Sequence, residues 1–201
     1  MIEGLKKLKL KLHMKKSFSI VIFLSIFLFL ACKDNKPIPK PTGYFRIDLP
    51  EKSYKTYNED CPFIFELPEY SFIVKENDGY CWMDIYFPEI EATIYLTYKE
   101  INNDFNKHVE DTREFVYKHT VKADAIVETP FVNDSLKVYG ILYDLKGNTA
   151  SSVQFFLTDS TTHFVRGSLY FNVPPNKDSL APVIEFVRED ILHLMESFQW
   201  K

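Results

Sequence analysis

VYGILYDLKGNTASSVQFFLTDSTTHFVRGSLYFN, residues 138–172, consists of apolar-rich runs separated by two polar turns. Leu136 to Leu145, Ser152 to Thr158 and His163 to Phe171 are short and rich in aromatic and aliphatic residues, which predicts strands. Between them, Lys146-Gly147-Asn148 and Asp159-Ser160-Thr161-Thr162 carry residues that supply turn geometry or bond their own backbone. Connections this short join antiparallel neighbours, whereas parallel pairing needs a crossover of about a dozen residues or more. The stretch is expected to be an antiparallel meander.

Towards the N-terminus the same period of two recurs. Phe45, Ile47 and Leu49 alternate with polar partners until Pro50, and Phe63-Ile64-Phe65 and Phe72-Ile73-Val74 form short apolar runs. Cys81, Met83, Ile85 and Phe87 fall on one face of a strand, with Trp82, Asp84 and Tyr86 on the other. Ala92, Ile94, Leu96 and Tyr98 repeat the pattern after Pro88, which predicts a hairpin. The period then lengthens: Ile101, Phe105, His108-Val109, Thr112 and Val116 recur at three and four, the mark of one helical face. Beyond the meander, Asp178-Ser179 offers a helix N-cap with Pro182 in the first turn. Val183, Val187, Ile191, Leu194 and Phe198 line that helix's apolar side. The expected fold class is α+β, a largely antiparallel sheet with one central and one C-terminal helix packed on it.

The N-terminal segment has a different character. Met14-Lys15-Lys16 is a basic start, and Phe18 to Ala31 is apolar except for Ser19 and Ser25. Fourteen such positions suit a signal segment better than a membrane span, which needs roughly 20. The chain turns polar at Cys32-Lys33-Asp34-Asn35, so Cys32 is the expected lipidation site and N-terminus of the processed protein. Phe29 and Leu30 depart from the usual lipobox, which has Leu and then a small residue at those positions. Met14 is the expected start of translation. The expected organisation is a signal segment over 1–31, a lipidated tether over 32–43 with prolines at 37, 39 and 41, and a globular domain over 44–201.

Removing residues 1–31 takes away six lysines and one glutamate, so the formal charge moves from −4 to −9. An acidic chain lacks the basic footprint that nucleic acid demands. It also gains nothing by charge from anionic lipid headgroups, so the expected hold on the membrane is the acylated Cys32. One acyl chain is marginal, at about 0.8 kcal/mol per buried methylene, and two or three are sufficient.

Cys61 and Cys81 remain once Cys32 is lipidated. In an oxidising compartment they can pair across a loop of about 20 residues, or stand as two buried thiols. Among His108, His119, His163 and His193 no spacing matches a metal motif, and His108 and His119 would lie three turns apart on one helix. No metal and no cofactor are expected. The nearest thing to a catalytic cluster is Asp159, Ser160 and His163 with Arg166 close by. It would serve a hydrolase if folding assembled it, but Asp, Ser and Thr are equally what a tight turn requires. Arg166 is also a candidate for a buried ion pair.

Several longer stretches carry a family likeness: PKPTGYFRIDLPEKSY ending at Tyr54, CPFIFELPEYSF from Cys61, CWMDIYFP from Cys81 and YKHTVKADAI from Tyr117. The meander itself and PNKDSLAPVIEFVREDILHLMESFQW from Pro175 complete the set. Together they resemble the gliding motility lipoprotein GldD family over nearly the whole chain after Cys32. The resemblance implies a cell-envelope lipoprotein of Bacteroidetes-type bacteria, required for gliding and linked to the type IX secretion machinery. Its implied partners are other gliding lipoproteins and secretion-machinery proteins, and it transfers no catalytic residues. The fold also looks somewhat like the Mog1/PsbP-like α/β/α sandwich, by analogy alone. The expectation is a non-enzymatic, membrane-tethered interaction module. An envelope hydrolase using His163, or a lipoprotein that binds a ligand in an aromatic pocket, is the alternative.

Overall fold

The computed structural model describes residues 47–75 and 81–201. The signal segment, Cys32, the tether 32–43 and residues 44–46 lie outside the described residues. The strands, in chain order, are β1 (Tyr54–Tyr57), β2 (Phe63–Pro68), β3 (Phe72–Lys75), β4 (Met83–Phe87) and β5 (Ala92–Glu100). Helix α1 (Phe105–Tyr117) follows, then β6 (Ala123–Asn133), β7 (Val138–Gly147), β8 (Ser151–Thr158) and β9 (His163–Phe171). Helix α2 (Lys177–Ser197) and the short β10 (Gln199–Trp200) close the chain.

Seven strands form one antiparallel sheet in the order β3-β4-β5-β9-β8-β7-β6, and β1-β2-β10 form a second, three-stranded sheet. The meander β7-β8-β9 sits inside the large sheet as predicted, with β5 along its far side. The edges are blunted in different ways. β3 is only four residues long, and the opposite edge, β6, carries Pro130, a residue with no N–H to offer a ladder.

Strand alternation sends side chains to two faces, and each face has its own core. Met83, Ile85, Ile94, Leu96, Leu142, Phe155, Leu157, Val165 and Leu169 point inward. They meet Phe63, Phe65 and Leu67 of β2 and Val187, Ile191, Leu194 and Phe198 of the α2 segment. On the other face Tyr143, Phe156 and Phe164 pack beneath Val116 of α1. The helices therefore lie on opposite faces of the large sheet, and the fold class is α+β as expected. Gly167 is required by the inward layer: a Cβ there would collide with the Phe155 ring on the adjacent strand.

Several local expectations need correction. The expected strand from Phe45 begins outside the described residues; over its described part, from Ile47, no strand forms, and the first strand among the described residues is Tyr54–Tyr57. The turn at 146–148 is displaced, since β7 runs on through Gly147. Helix α2 is capped by Asn176, whose side chain accepts from the Asp178 and Ser179 amides at 3.2 Å each. Pro182 consequently falls in the second turn. His119 lies beyond α1, in the 3-10 turn Lys118–Val121. β6 and β10 were not foreseen: β6 is mostly exposed and lacks clean alternation, and β10 has only two residues.

Cys61 and Cys81 are joined as a disulfide, with Cα atoms 5.6 Å apart. The link ties the start of β2, in the small sheet, to the residues leading into β4 of the large one. Two polar contacts fasten α2 to its neighbours. Arg188 donates to Asp144 of β7 through Nε at 2.6 Å and Nη2 at 3.0 Å, a bidentate fork. That bond holds the Arg188 guanidinium above its usual pKa. Asp190 accepts from Lys52, Tyr54 and Tyr70.

Candidate functional site

Helix α1 covers only part of the outer face of the large sheet. Beyond it, towards β3, the strands present residues whose alternation points them away from the main core: Phe72 and Val74 on β3, Tyr86 on β4, Thr93 and Tyr95 on β5, and Tyr170 on β9. The register aligns them. Phe72 stands opposite Tyr86, Tyr86 opposite Thr93, and Thr93 opposite Tyr170, forming one transverse row. Tyr95 stands one pleat away and meets the Tyr170 ring edge-on at 5.6 Å. Phe72 is 57% exposed, Tyr95 44% and Tyr86 38%. The result is an aromatic shelf, and Tyr86, Thr93, Tyr95, Tyr170, Phe171 and Asn172 line its open concavity.

Cations stand at two ends of the shelf, while Asp84 shares the face of Tyr86 and stands opposite Val74 and Tyr95. At the β3 end Lys55 Nζ lies 5.7 Å from the centre of the Phe72 ring. At the α1 end Thr97 and Arg166 are opposite one another on β5 and β9, with Lys99 one pleat further on. The Arg166 guanidinium lies 4.6 Å from the centre of the Phe115 ring of α1 and donates through Nη2 to Gln154 Oε1 at 3.0 Å. Burial pushes the Arg166 guanidinium below its usual pKa. Burial, and secondarily the charge of Arg166, lowers His119.

The sequence-predicted cluster does not assemble. Asp159 is consumed by its own turn: Oδ1 accepts from the amides of Thr161, Thr162 and His163, and Oδ2 from the Thr161 hydroxyl. Burial opposes ionisation there, but the three amides and the hydroxyl outweigh it and hold the carboxyl below its usual range. Ser160 occupies a left-handed backbone position, φ +66°, within that turn. His163 points inward, hydrogen-bonded through Nδ1 to the Tyr98 hydroxyl at 2.8 Å and stacked on Trp200. Arg166, three residues along the same strand, faces outward. It makes no buried ion pair with a described carboxylate; its partner is the Gln154 amide. Nucleophile, base and orienting acid are therefore not within reach of one another.

Two features escaped the sequence reading. The shelf was visible only as aromatics at positions that alternation assigns to the solvent face, Tyr86, Tyr95 and Tyr170. Aromatic side chains at strand positions are more often core than surface, so composition alone does not single these out. The second feature is a set of buried side-chain nitrogens without a hydrogen-bond partner: His108 Nε2, Gln154 Nε2 and Arg166 Nε. Each such group costs on the order of 1–3 kcal/mol if nothing satisfies it. All three lie on the outer side of the sheet, at or beneath α1. No group of His, Cys, Asp or Glu among the described residues could hold a metal ion. Nor is any described helix long and apolar enough to cross a membrane.

No curated protein matches the chain. The family model described as gliding motility lipoprotein GldD matches residues 34–200, which takes in every described element from β1 to β10. That family is a lipoprotein family of gliding motility and not a known enzyme family. By a match over most of its length, the chain belongs to the GldD family of gliding motility lipoproteins.

Proposed function

We propose that this lipoprotein is a membrane-tethered, non-enzymatic docking component of the gliding and type IX secretion apparatus. Cys32 carries the acyl anchor, residues 32–43 act as a Pro-rich tether, and the domain that follows presents the aromatic shelf to a partner protein. Confinement to a membrane surface raises the effective concentration of the shelf near partners held on the same surface. The anchored membrane faces the periplasm, and the Cys61–Cys81 disulfide is kept oxidised there.

The observation that carries the reading is the row Phe72, Tyr86, Thr93 and Tyr170 with Tyr95 beside it. Exposed tyrosines and phenylalanine on a rigid sheet supply large, stiff, amphipathic contact area, the composition enriched at protein interfaces. The rim cations Lys55, Lys99 and Arg166 stand out on a chain of net negative charge and suit a partner whose apolar patch is bordered by carboxylates.

The test is site-specific photo-crosslinking in cells. A photoreactive residue at Tyr95 is expected to capture a gliding or secretion-machinery protein, while one at Glu185, on the exposed side of α2, captures none. Equal capture at both positions, or capture at Tyr95 of abundant porins alone, overturns the reading.

A further inference from the structure

We infer that a pocket between α1 and the outer face of the sheet is a binding site for a small oxyanion, the carboxylate or phosphate group of a ligand, held by Arg166, His108 and Lys99. This goes beyond the docking reading and holds whether or not the shelf receives a protein.

The pocket is a cavity of about 50 Å³ lined by Thr97, Lys99, His108, Asp111, Thr112, Phe115, Phe164 and Arg166. That volume suits one carboxylate or phosphate group. Its walls are built. Phe164 stacks on Phe156 below, and Phe115 closes one side over the Arg166 guanidinium. His108 is 8% exposed, and its Nε2 has no hydrogen-bond partner among the described residues. The nearest carboxylate, Asp104 Oδ2, is 3.3 Å away but off the ring's hydrogen-bonding direction. Arg166 commits Nη2 to Gln154 and leaves Nε as a buried donor without a partner.

Buried donors in native proteins are nearly always satisfied, and the two residues that carry these, His108 and Arg166, both line this cavity. Lys99 and Arg166 stand with one carboxylate, Asp111, in the lining, and Asp104 lies beside His108 just outside it. A guanidinium pressed on an aromatic ring in a half-enclosed site gains most from a charge-assisted bond, because little water competes there.

The test titrates the purified full-length protein with inorganic phosphate, sodium acetate and sodium chloride at constant ionic strength, following the His108 imidazole resonances and the melting temperature. Phosphate or acetate is expected to shift the His108 signals saturably and raise the melting temperature, and chloride to do neither. Arg166→Gln is expected to weaken the interaction at least tenfold. Lys99→Gln, at a more exposed position, is expected to weaken it a few-fold and keeps the test decisive if the first variant misfolds. No saturable shift up to tens of millimolar, or a shift indifferent to both substitutions, overturns the proposal in favour of ordinary hydration of the pocket. Phosphate that suppresses photo-capture at Tyr95 identifies the oxyanion as a carboxylate brought by the partner. Phosphate that binds without affecting capture identifies a free ion. Failure of capture with binding intact would count against the docking reading alone.

Discussion

Lys52 and Asp190 stand 138 residues apart in sequence, yet Lys52 Nζ donates to Asp190 Oδ1 at 2.6 Å and also to the Phe186 carbonyl at 2.6 Å. Asp190 is 1% exposed, and the Tyr54 and Tyr70 hydroxyls complete its coordination at 3.0 and 2.7 Å. A carboxylate buried this deeply on α2 is tolerable only because three donors surround it. It clasps the segment through which the chain enters the domain onto the last helix. Asp190→Ala is expected to destabilise the fold by about 3 kcal/mol, since it strands Lys52 and two hydroxyls. Lys52→Met should cost less, about 1 kcal/mol, because the lysine is partly exposed. Urea denaturation of the two variants measures both values.

The buried Tyr143 and the half-buried Tyr54 and Tyr70 make stability fall in alkali. Burial, followed by the charge of Glu128, pushes Tyr143 up to about 12. Burial, reinforced by Asp190, raises Tyr54 and Tyr70 further. A group whose pKa is raised on folding contributes stability that is fully present below its unfolded value, about 10 for tyrosine, and is lost as pH climbs through the folded value. The free energy of unfolding should therefore be flat with respect to these groups between pH 7 and 9 and decline above about pH 10. Tyr143→Phe should flatten the start of that decline, as denaturant titrations at successive pH values would show.

Asp159, Ser160 and His163 separate a turn from an active site. Asp159→Ala should destabilise by about 1–2 kcal/mol through loss of charge-assisted bonds to the turn amides. Asp159→Asn keeps an acceptor oxygen and should recover part of that loss. Because the Asp159 pKa is lowered on folding, its contribution is present above the ordinary carboxylate range and fades as pH drops through the folded value. Ser160→Gly should be neutral or mildly stabilising, since glycine adopts φ +66° without strain. Colonies carrying Asp159→Asn or Ser160→Gly are expected to spread normally. Loss of spreading with the fold intact would revive the hydrolase.

The Cys61–Cys81 link closes a loop of about 20 residues and should contribute about 3 kcal/mol in the chain-entropy description. Intact mass should rise by two hydrogens on reduction, and Cys61→Ser with Cys81→Ser should lower the denaturation midpoint. An unchanged mass would mean that the thiols are free in the cell.

Shelf residues should behave in the opposite way to core residues. Tyr95→Ser and Tyr86→Ser, at exposed positions, are expected to change stability by no more than about 0.5 kcal/mol. Yet each should impair spreading and reduce photo-capture. Phe155→Ala, beneath the same sheet, should cost about 3–5 kcal/mol. Spreading that follows stability rather than the shelf would defeat the docking proposal.

Much of the fold was legible because it is written in local periodicity. Met83, Ile85 and Phe87 alternate as a one-sided strand must, and Val183, Val187, Ile191 and Leu194 recur as a helix face must. The short loops around Gly147 and Asp159 left antiparallel pairing as the economical arrangement. β6 was missed because an edge strand with little burial leaves hardly any hydrophobic pattern. Over its described part the expected strand from Phe45 does not form, because apolar alternation is compatible with a strand without being sufficient for one.

The candidate site was the least legible part. Closeness in sequence put His163 and Arg166 in one group, but three residues along a strand is an odd step and sends them to opposite faces. Conversely, Phe72 and Tyr170 are almost a hundred residues apart, and the sheet register brings them into one row.

By itself, the sequence determined the class of fold, the two helices and the family, because periodicity, turn chemistry and length are properties of neighbouring residues. Only the tertiary structure decided which aromatics are core and which form a shelf. It alone paired Lys52 with Asp190 and Arg188 with Asp144, and set His108 and Arg166 around one cavity. The reason is physical. Which face of a strand is covered, and which partners meet across it, depends on helix placement and strand register, and both are set by packing between segments far apart in the chain.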